Sequence, residues 1–197
     1  MNVIEEVGKY HDYAVSMRRE FHKHPELSWK EVETAGRIRD ELAGMGIPYE
    51  EVAGTGTIAT LKGKEDQPVI GLRCDIDALP IREVKSLPYC SQNQGVMHAC
   101  GHDAHISMLL TAARVLAEHQ DELKCTVKLI FQPAEESSLG ALKILETDLM
   151  KGVERIWGIH SDPTNPVNTI GIREGYVAAA VDRFVITIKG TRSKSTR

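Results

Sequence analysis

Residues 68–74 (P-V-I-G-L-R-C) and 125–131 (C-T-V-K-L-I-F) constrain the fold most, because each is a short β-branched and aliphatic run between segments of helical period. A third such run spans 56–62, separated from 68–74 by a polar turn around Lys64-Glu65-Asp66. Upstream, Val3, Ile4, Val7, Tyr10, Ala14, Met17 and Phe21 form one helical stripe. Ser28 and Glu31 read as an S-x-x-E capping box opening a second helix towards Gly44 and Gly46, with Val32, Ala35, Ile38, Leu42 and Met45 on its buried side. A helix is expected over 104–119, carrying Met108, Leu109, Ala112, Val115 and Leu116, another over 138–150, and a short strand at 155–158. Residues 78–99, punctuated by Pro80, Pro88 and Gly95, read as irregular. Helices alternating with strands predict an α/β layered domain with a mostly parallel sheet, whose ligand crevice lies beyond the C-terminal ends of the strands.

Composition narrows the function classes. With 42% hydrophobic and 26% charged residues in 197, the chain can bury an ordinary core in one domain. A net charge of −4 and 5% aromatics argue against a basic, base-stacking face for nucleic acid. Four cysteines do not make a disulfide scaffold. The opening Met1-Asn2-Val3-Ile4-Glu5-Glu6 lacks a basic n-region, and no apolar run approaches membrane-spanning length. A cytoplasmic protein with reduced thiols and no membrane partner is expected.

Polar clusters collect where the crevice should lie. Residues 97–105 (M-H-A-C-G-H-D-A-H) lead into the 104–119 helix. A single histidine there would be an ordinary polar helix start, with Asp103 accepting backbone N–H groups. Three histidines and a cysteine within 98–105 point instead to a borderline metal, with Gly101 letting Cys100 and His102 face one point. Glu135 and Glu136 follow the 125–131 strand. In an extended chain they would face opposite sides, one towards a metal and one towards substrate; at a helix start they could equally be a solvated acidic pair. His160 ends the last strand and gains meaning only beside the other clusters. Asp75 and Asp77 fall on one side of a strand, suited to metal binding or to orienting a ligand histidine, with Asp77 favoured for the second role. Cys100, His102, Glu136 and His160 together suit Zn²⁺, Mn²⁺, Co²⁺ or Ni²⁺ better than Mg²⁺, and Glu135 remains as a base. That kit suits metal-assisted hydrolysis.

These motifs, with residues 19–28 (R-E-F-H-K-H-P-E-L-S), 72–81 (L-R-C-D-I-D-A-L-P-I), 131–136 and 158–160, resemble the aminoacylase-type dinuclear metallopeptidases. The likeness is to their amidohydrolase branch of hippurate hydrolases, N-acyl-amino-acid hydrolases and indoleacetyl-amino-acid hydrolases. It implies a three-layer α/β/α catalytic domain with a mostly parallel mixed sheet, holding two divalent metal ions. Cys100 would be a sulfur ligand, bridging, with His102, Glu136 and His160 as further ligands. Glu135 would be the base that activates a metal-bridging water and then protonates the leaving amine. The implied substrates are N-acyl or N-aroyl amino acids, and the implied assembly of a full-length relative is a homodimer or tetramer formed through a lid domain.

The pattern also implies an organisation. Residues 1–180 would be the N-terminal portion of the catalytic domain, and 181–197 the first lid strand plus an atypical tail. From about residue 191 the chain (T-R-S-K-S-T-R) departs from the glycine-rich, histidine-containing turn of the family. A frameshift, an early stop or deliberate truncation would each account for that. The expected alternative to an active hydrolase is therefore an incompetent remnant that binds metal weakly or acts only through association.

Overall fold

The computed structural model describes residues 2–177 and 184–190. The chain divides into two compact units, Met1–Ser161 and Asp162–Arg197. Every named helix and strand belongs to the first: α1 (Val3–Gly8), α2 (His11–Lys23), α3 (Val32–Gly44), β1 (Tyr49–Val52), β2 (Gly56–Leu61), β3 (Val69–Asp75), α4 (His102–Glu118), β4 (Thr126–Gln132), α5 (Gly140–Leu145) and β5 (Val153–Gly158). In the second unit, residues 184–190 are exposed and lie outside any strand. The strand expected at 181–189 and the boundary at 180/181 otherwise fall on residues outside those described, as does the tail from 191.

The sheet runs in the order β1-β2-β4-β3-β5. The sheet is mixed, as the resemblance implies, with a larger antiparallel share than the helix–strand alternation suggests: β3 is parallel to β4 and β5, while β1–β2 and β2–β4 are antiparallel. The cause is β1, which its charged Y-E-E-V sequence concealed. It joins β2 through a tight turn at Ala53 (φ +48°) and Gly54 (φ +79°), and so short a link permits only an antiparallel pair.

Alternation along the strands builds two cores. On one face Ala59, Leu61, Cys74, Val127, Leu129 and Phe131 pack with Phe21, Ile38, Leu42, Ile106 and Leu110 from α2, α3 and α4. On the other, Ile58 and Ile130 meet Ile144 of α5. Three layers result. The α4 stripe differs from expectation, since Ile106, Leu110 and Ala113 are fully buried while Met108 is exposed. The first expected helix is two, α1 and α2, broken at Lys9–Tyr10. The helix expected over 138–150 is reduced to α5 and a 3₁₀ turn at Asp148–Met150.

The capping box at Ser28–Glu31 does not form. The first turn of α3 is capped by Glu26, whose carboxylate oxygens accept from Glu33 N–H (3.2 Å) and Thr34 N–H (2.8 Å). Ser28 donates instead to Asp77 (2.6 Å), and Glu31 is fully buried against other partners. Val32, expected inside, is exposed.

Residues 76–101 are irregular, as expected, and are pinned by bridges Leu27–Ala78 and Leu79–Met97. A buried cluster ties them to α4. His22 Nδ1 lies 2.6 Å from Asp103 Oδ2, His22 Nε2 lies 3.2 Å from Glu83 Oε1, and Arg18 Nε lies 3.0 Å from Asp103 Oδ2. The Asp103 hydrogen bond raises the His22 pKa; burial opposes it, and Glu83 adds to the rise. A histidine whose folded pKa exceeds its unfolded value, about 6.5, stabilises fully below that pH and loses the contribution as pH rises through the folded value. Urea unfolding of the parent and His22→Gln should therefore show a stability gap that narrows from about pH 6 to about pH 9. A gap equal at both would mean the protonated pair is not what holds this cluster.

Candidate metal centre

The C-terminal ends of β3, β4 and β5, which run in one direction, converge on the N-terminus of α4. Gly101 precedes α4 at φ +92°, and a Cβ there would lie 2.8 Å from Ser161 Oγ. This left-handed step turns Cys100 back towards the first turn of the helix, where His102 and His105 share a face. Asp75 ends β3, Glu135 and Glu136 follow β4, and His160 follows β5.

Glu135 and Glu136 are not in extended chain. Ala134, fully buried at φ +51°, turns the backbone, and the two carboxylates sit in the turn before α5. A Cβ on Gly140 would lie 1.6 Å from the Pro133 carbonyl oxygen, so this return admits only glycine. The turn sends both carboxylates towards His102, with Glu135 Oε2 and Glu136 Oε1 each 3.8 Å from His102 Nε2.

His102 is completely buried. The Asp77 carbonyl oxygen accepts from its Nδ1–H (2.8 Å), so in the neutral ring the lone pair lies on Nε2, which has no hydrogen-bond partner. Asp75 Oδ2 lies 3.6 Å from that nitrogen. Cys100 Sγ lies 3.3 Å from His160 Nε2. Glu136 Oε1 is also buried and unpartnered, while the Glu136 N–H donates to Asp77 Oδ2 (3.0 Å). Cys100, His102 and Glu136 offer donor atoms within 4.8 Å of one another; so do Asp75, His102, His105 and His160.

Carboxylates dominate the electrostatics. Burial opposes ionisation of Asp75, but His105, His102 and Arg73 outweigh it, and its carboxyl stays well below the usual range. Burial likewise opposes protonation of His102, and Asp77, Asp75 and Glu136 reverse that, raising its pKa. Burial, then Glu135 and Asp77, raise Glu136 against the pull of His102. Burial, with Glu136, Glu135 and Asp75, pushes the Cys100 thiol up to about 12. Orphaned buried acceptors beside a thiol, among converging carboxylates, fit divalent cations of borderline softness. The imidazole whose N–H is taken by a backbone carbonyl is the usual arrangement of a metal-binding histidine.

The family model for peptidase family M20/M25/M40 matches residues 71–195, which include every residue of this cluster. The chain belongs to peptidase family M20/M25/M40. It is 50% identical over 183 residues to N-acetylcysteine deacetylase of Bacillus subtilis, covering 92% of this chain and 48% of that protein. It is 45% identical over 182 residues to IAA-amino acid hydrolase ILR1-like 5 of Arabidopsis thaliana, covering 92% and 42%. The crystal structure of Bacillus subtilis YXEP protein, a dinuclear metal binding peptidase of the M20 family, superposes with a TM-score of 0.82 at 49% identity, covering 85% of this chain and 48% of that one. The chain thus spans about half the length of the curated relatives it matches.

The five residues singled out from sequence, Cys100, His102, Glu135, Glu136 and His160, all lie in this one cluster. Asp77 does orient His102, through its carbonyl oxygen. His105, left unassigned by sequence, is also in the cluster, and its three-residue spacing from His102 on α4 was the available signal. His98 is buried with neither ring nitrogen hydrogen-bonded, and burial holds its pKa down at about 4. Among the described residues no helix is long and apolar enough to cross a membrane.

Proposed function

We infer that this protein is a metal-dependent amidohydrolase cleaving the amide bond of N-acyl or N-aroyl amino acids. The observation that carries the reading is the buried, unpartnered pair of acceptors, His102 Nε2 and Glu136 Oε1, beside the Cys100 thiol. The names of the relatives support the substrate class, one being an N-acetylcysteine deacetylase and the other an IAA-amino acid hydrolase.

Cys100, His102, Glu136 and His160 would hold two divalent ions, of zinc, manganese, cobalt or nickel. When bound, such ions supply Lewis acidity towards a carbonyl and acidify water. Glu135 is the more exposed of the acidic pair, 38% against 21%, and is free to meet substrate. Its carboxylate takes a proton from the attacking water and returns it to the amide nitrogen as the C–N bond breaks. Asp77 fixes the His102 ring through its carbonyl oxygen and the Glu136 turn through its carboxylate. In this reading residues 1–180 are the N-terminal portion of the catalytic domain and 181–197 the first lid strand with an atypical tail, the lid being the part through which a full-length relative would form a dimer or tetramer. The four unpaired cysteines fit a reducing, cytoplasmic setting.

The second reading, a chain that takes up metal without turnover, rests on its covering about half of its relatives' length. One experiment separates them. The chain is incubated with Mn²⁺ or Zn²⁺ and hippurate or an N-acetyl amino acid, and released amino acid and metal uptake are measured together. Because the Cys100 thiol must lose its proton to bind, apparent affinity should rise with pH, by up to about tenfold per unit for each proton released. Uptake with turnover supports the first reading, and uptake alone the second. A chain that takes up no metal at any pH sinks the metal centre.

A further inference from the structure

We propose that His105 is a positioning residue: it clamps the Ser161 peptide and thereby sets the His160 lone pair against Cys100. The consequence for metal rests on the reading above; the clamp itself needs no metal.

The hydrogen bonds form one directed chain. Asp75 is 1% exposed and anchored by Arg73 Nη1 at 2.8 Å. Its other oxygen accepts from His105 Nδ1–H at 2.6 Å, which leaves the His105 lone pair on Nε2. That lone pair accepts the Ser161 N–H at 2.9 Å. The Ser161 carbonyl in turn accepts from His160 Nδ1–H at 2.8 Å, so His160 Nε2 carries its lone pair towards Cys100 Sγ, 3.3 Å away. A ring nitrogen of His105 lies within 4.8 Å of donor atoms of Asp75, His102 and His160, but both its nitrogens are committed, one to Asp75 and one to Ser161. It is placed to hold rather than to ligate.

Burial does not do this work for His160, which is exposed and follows a strand exposed along most of its length. An exposed histidine loses its preferred rotamer readily unless its neighbours restrain it. The restraint here is the Ser161 peptide, gripped by His105. Gly101 belongs to the same device, because a side chain there would collide with Ser161 Oγ at 2.8 Å.

Two substitutions test the clamp. In His105→Asn the amide reaches the Nδ1 position, so the Asp75 contact survives while the Ser161 acceptor is lost. In His105→Gln an amide oxygen reaches the Nε2 position and keeps the Ser161 acceptor; Arg73 still pairs Asp75. Amide hydrogen exchange at Ser161 and cobalt(II) titration, read through thiolate–cobalt absorption, are measured on the whole chain, with β4 amides reporting the fold. Expected in His105→Asn is Ser161 exchange faster by about tenfold or more. Cobalt affinity should fall by about 10- to 100-fold. His105→Gln should restore both to within a few-fold of the parent. Unchanged values in His105→Asn, or equal losses in both variants, overturn the clamp. If His105→Asn loses β4 protection, His105→Gln alone decides: Ser161 protection kept with an intact sheet supports the clamp, and its loss overturns it. A parent chain that binds no cobalt, yet whose Ser161 amide is freed by His105→Asn, removes the metal reading and leaves the clamp standing.

Discussion

Replacing Glu31 with alanine is expected to lower the unfolding free energy by about 2–4 kcal/mol, read from urea denaturation at neutral pH. Glu31 is fully buried, and its two oxygens join segments far apart in the chain. Oε1 accepts the Ala134 N–H at 2.8 Å, and Oε2 accepts the Thr55 hydroxyl at 2.7 Å. Hydrogen bonds to a charged acceptor contribute about 1.5–3 kcal/mol each, and a buried N–H left without a partner loses that contribution outright. Ala134 is fully buried, so water does not replace the carboxylate there, whereas the half-buried Thr55 can turn towards solvent. Glu31→Gln keeps one strong acceptor and should lose less. The same bond holds Ala134 in its left-handed conformation, immediately before Glu135 and Glu136. Metal affinity should therefore fall with stability. A Glu31→Ala chain as stable as its parent would show that the Glu135–Glu136 turn holds itself.

Glu135→Gln in the active protein should reduce amide hydrolysis by about 10²- to 10⁴-fold, the usual contribution of a positioned acid–base group. Metal content, measured by elemental analysis, should stay near that of the parent. The distinction from Glu136 is geometric. Glu136 has its N–H tied to Asp77 and a buried oxygen without a partner, so its neutralisation should empty the centre instead. Glu135 reaches equally near to His102 Nε2 but keeps more exposure. Near-parental turnover in Glu135→Gln would move the proton-transfer role to another group.

Much of this was legible in the sequence, for reasons that vary by element. Buried strands announce themselves as apolar runs, so β2, β3 and β4 were found within a residue or two. Cys100, His102, Glu136 and His160 stood out as donors near the ends of those strands, and they lie close together there. What sequence obscured was set by tertiary partners. β1 is half charged and forms because β2 lies beside it. Ser28 and Glu31 have the spacing of a helix cap, yet Asp77 and Ala134 claim their side chains. Glu135 and Glu136 look extended after an apolar strand, but Ala134 and Gly140 bend the chain. His105 could be placed on the face of His102; its pairing with Asp75 and Ser161 depends on how β3 and β5 meet α4.

The strand order β1-β2-β4-β3-β5 also dictates when the sheet can exist. β2 and β3 are successive in the chain but never touch, because β4 lies between them. During synthesis the β1–β2 hairpin waits with the free edge of β2 open, and β3 with both edges open, until residues 76–125 have been made and β4 arrives to bond both; the other edge of β3 waits further for β5. The strand that unites them is buried along nearly all its length and carries the acidic turn at its end. Joining the two parts of the sheet and presenting Glu135 and Glu136 are thus a single event. Closing so long a loop carries an entropic cost; a nascent chain stopped before β4 lacks the joined sheet, and one stopped before His160 lacks part of the site.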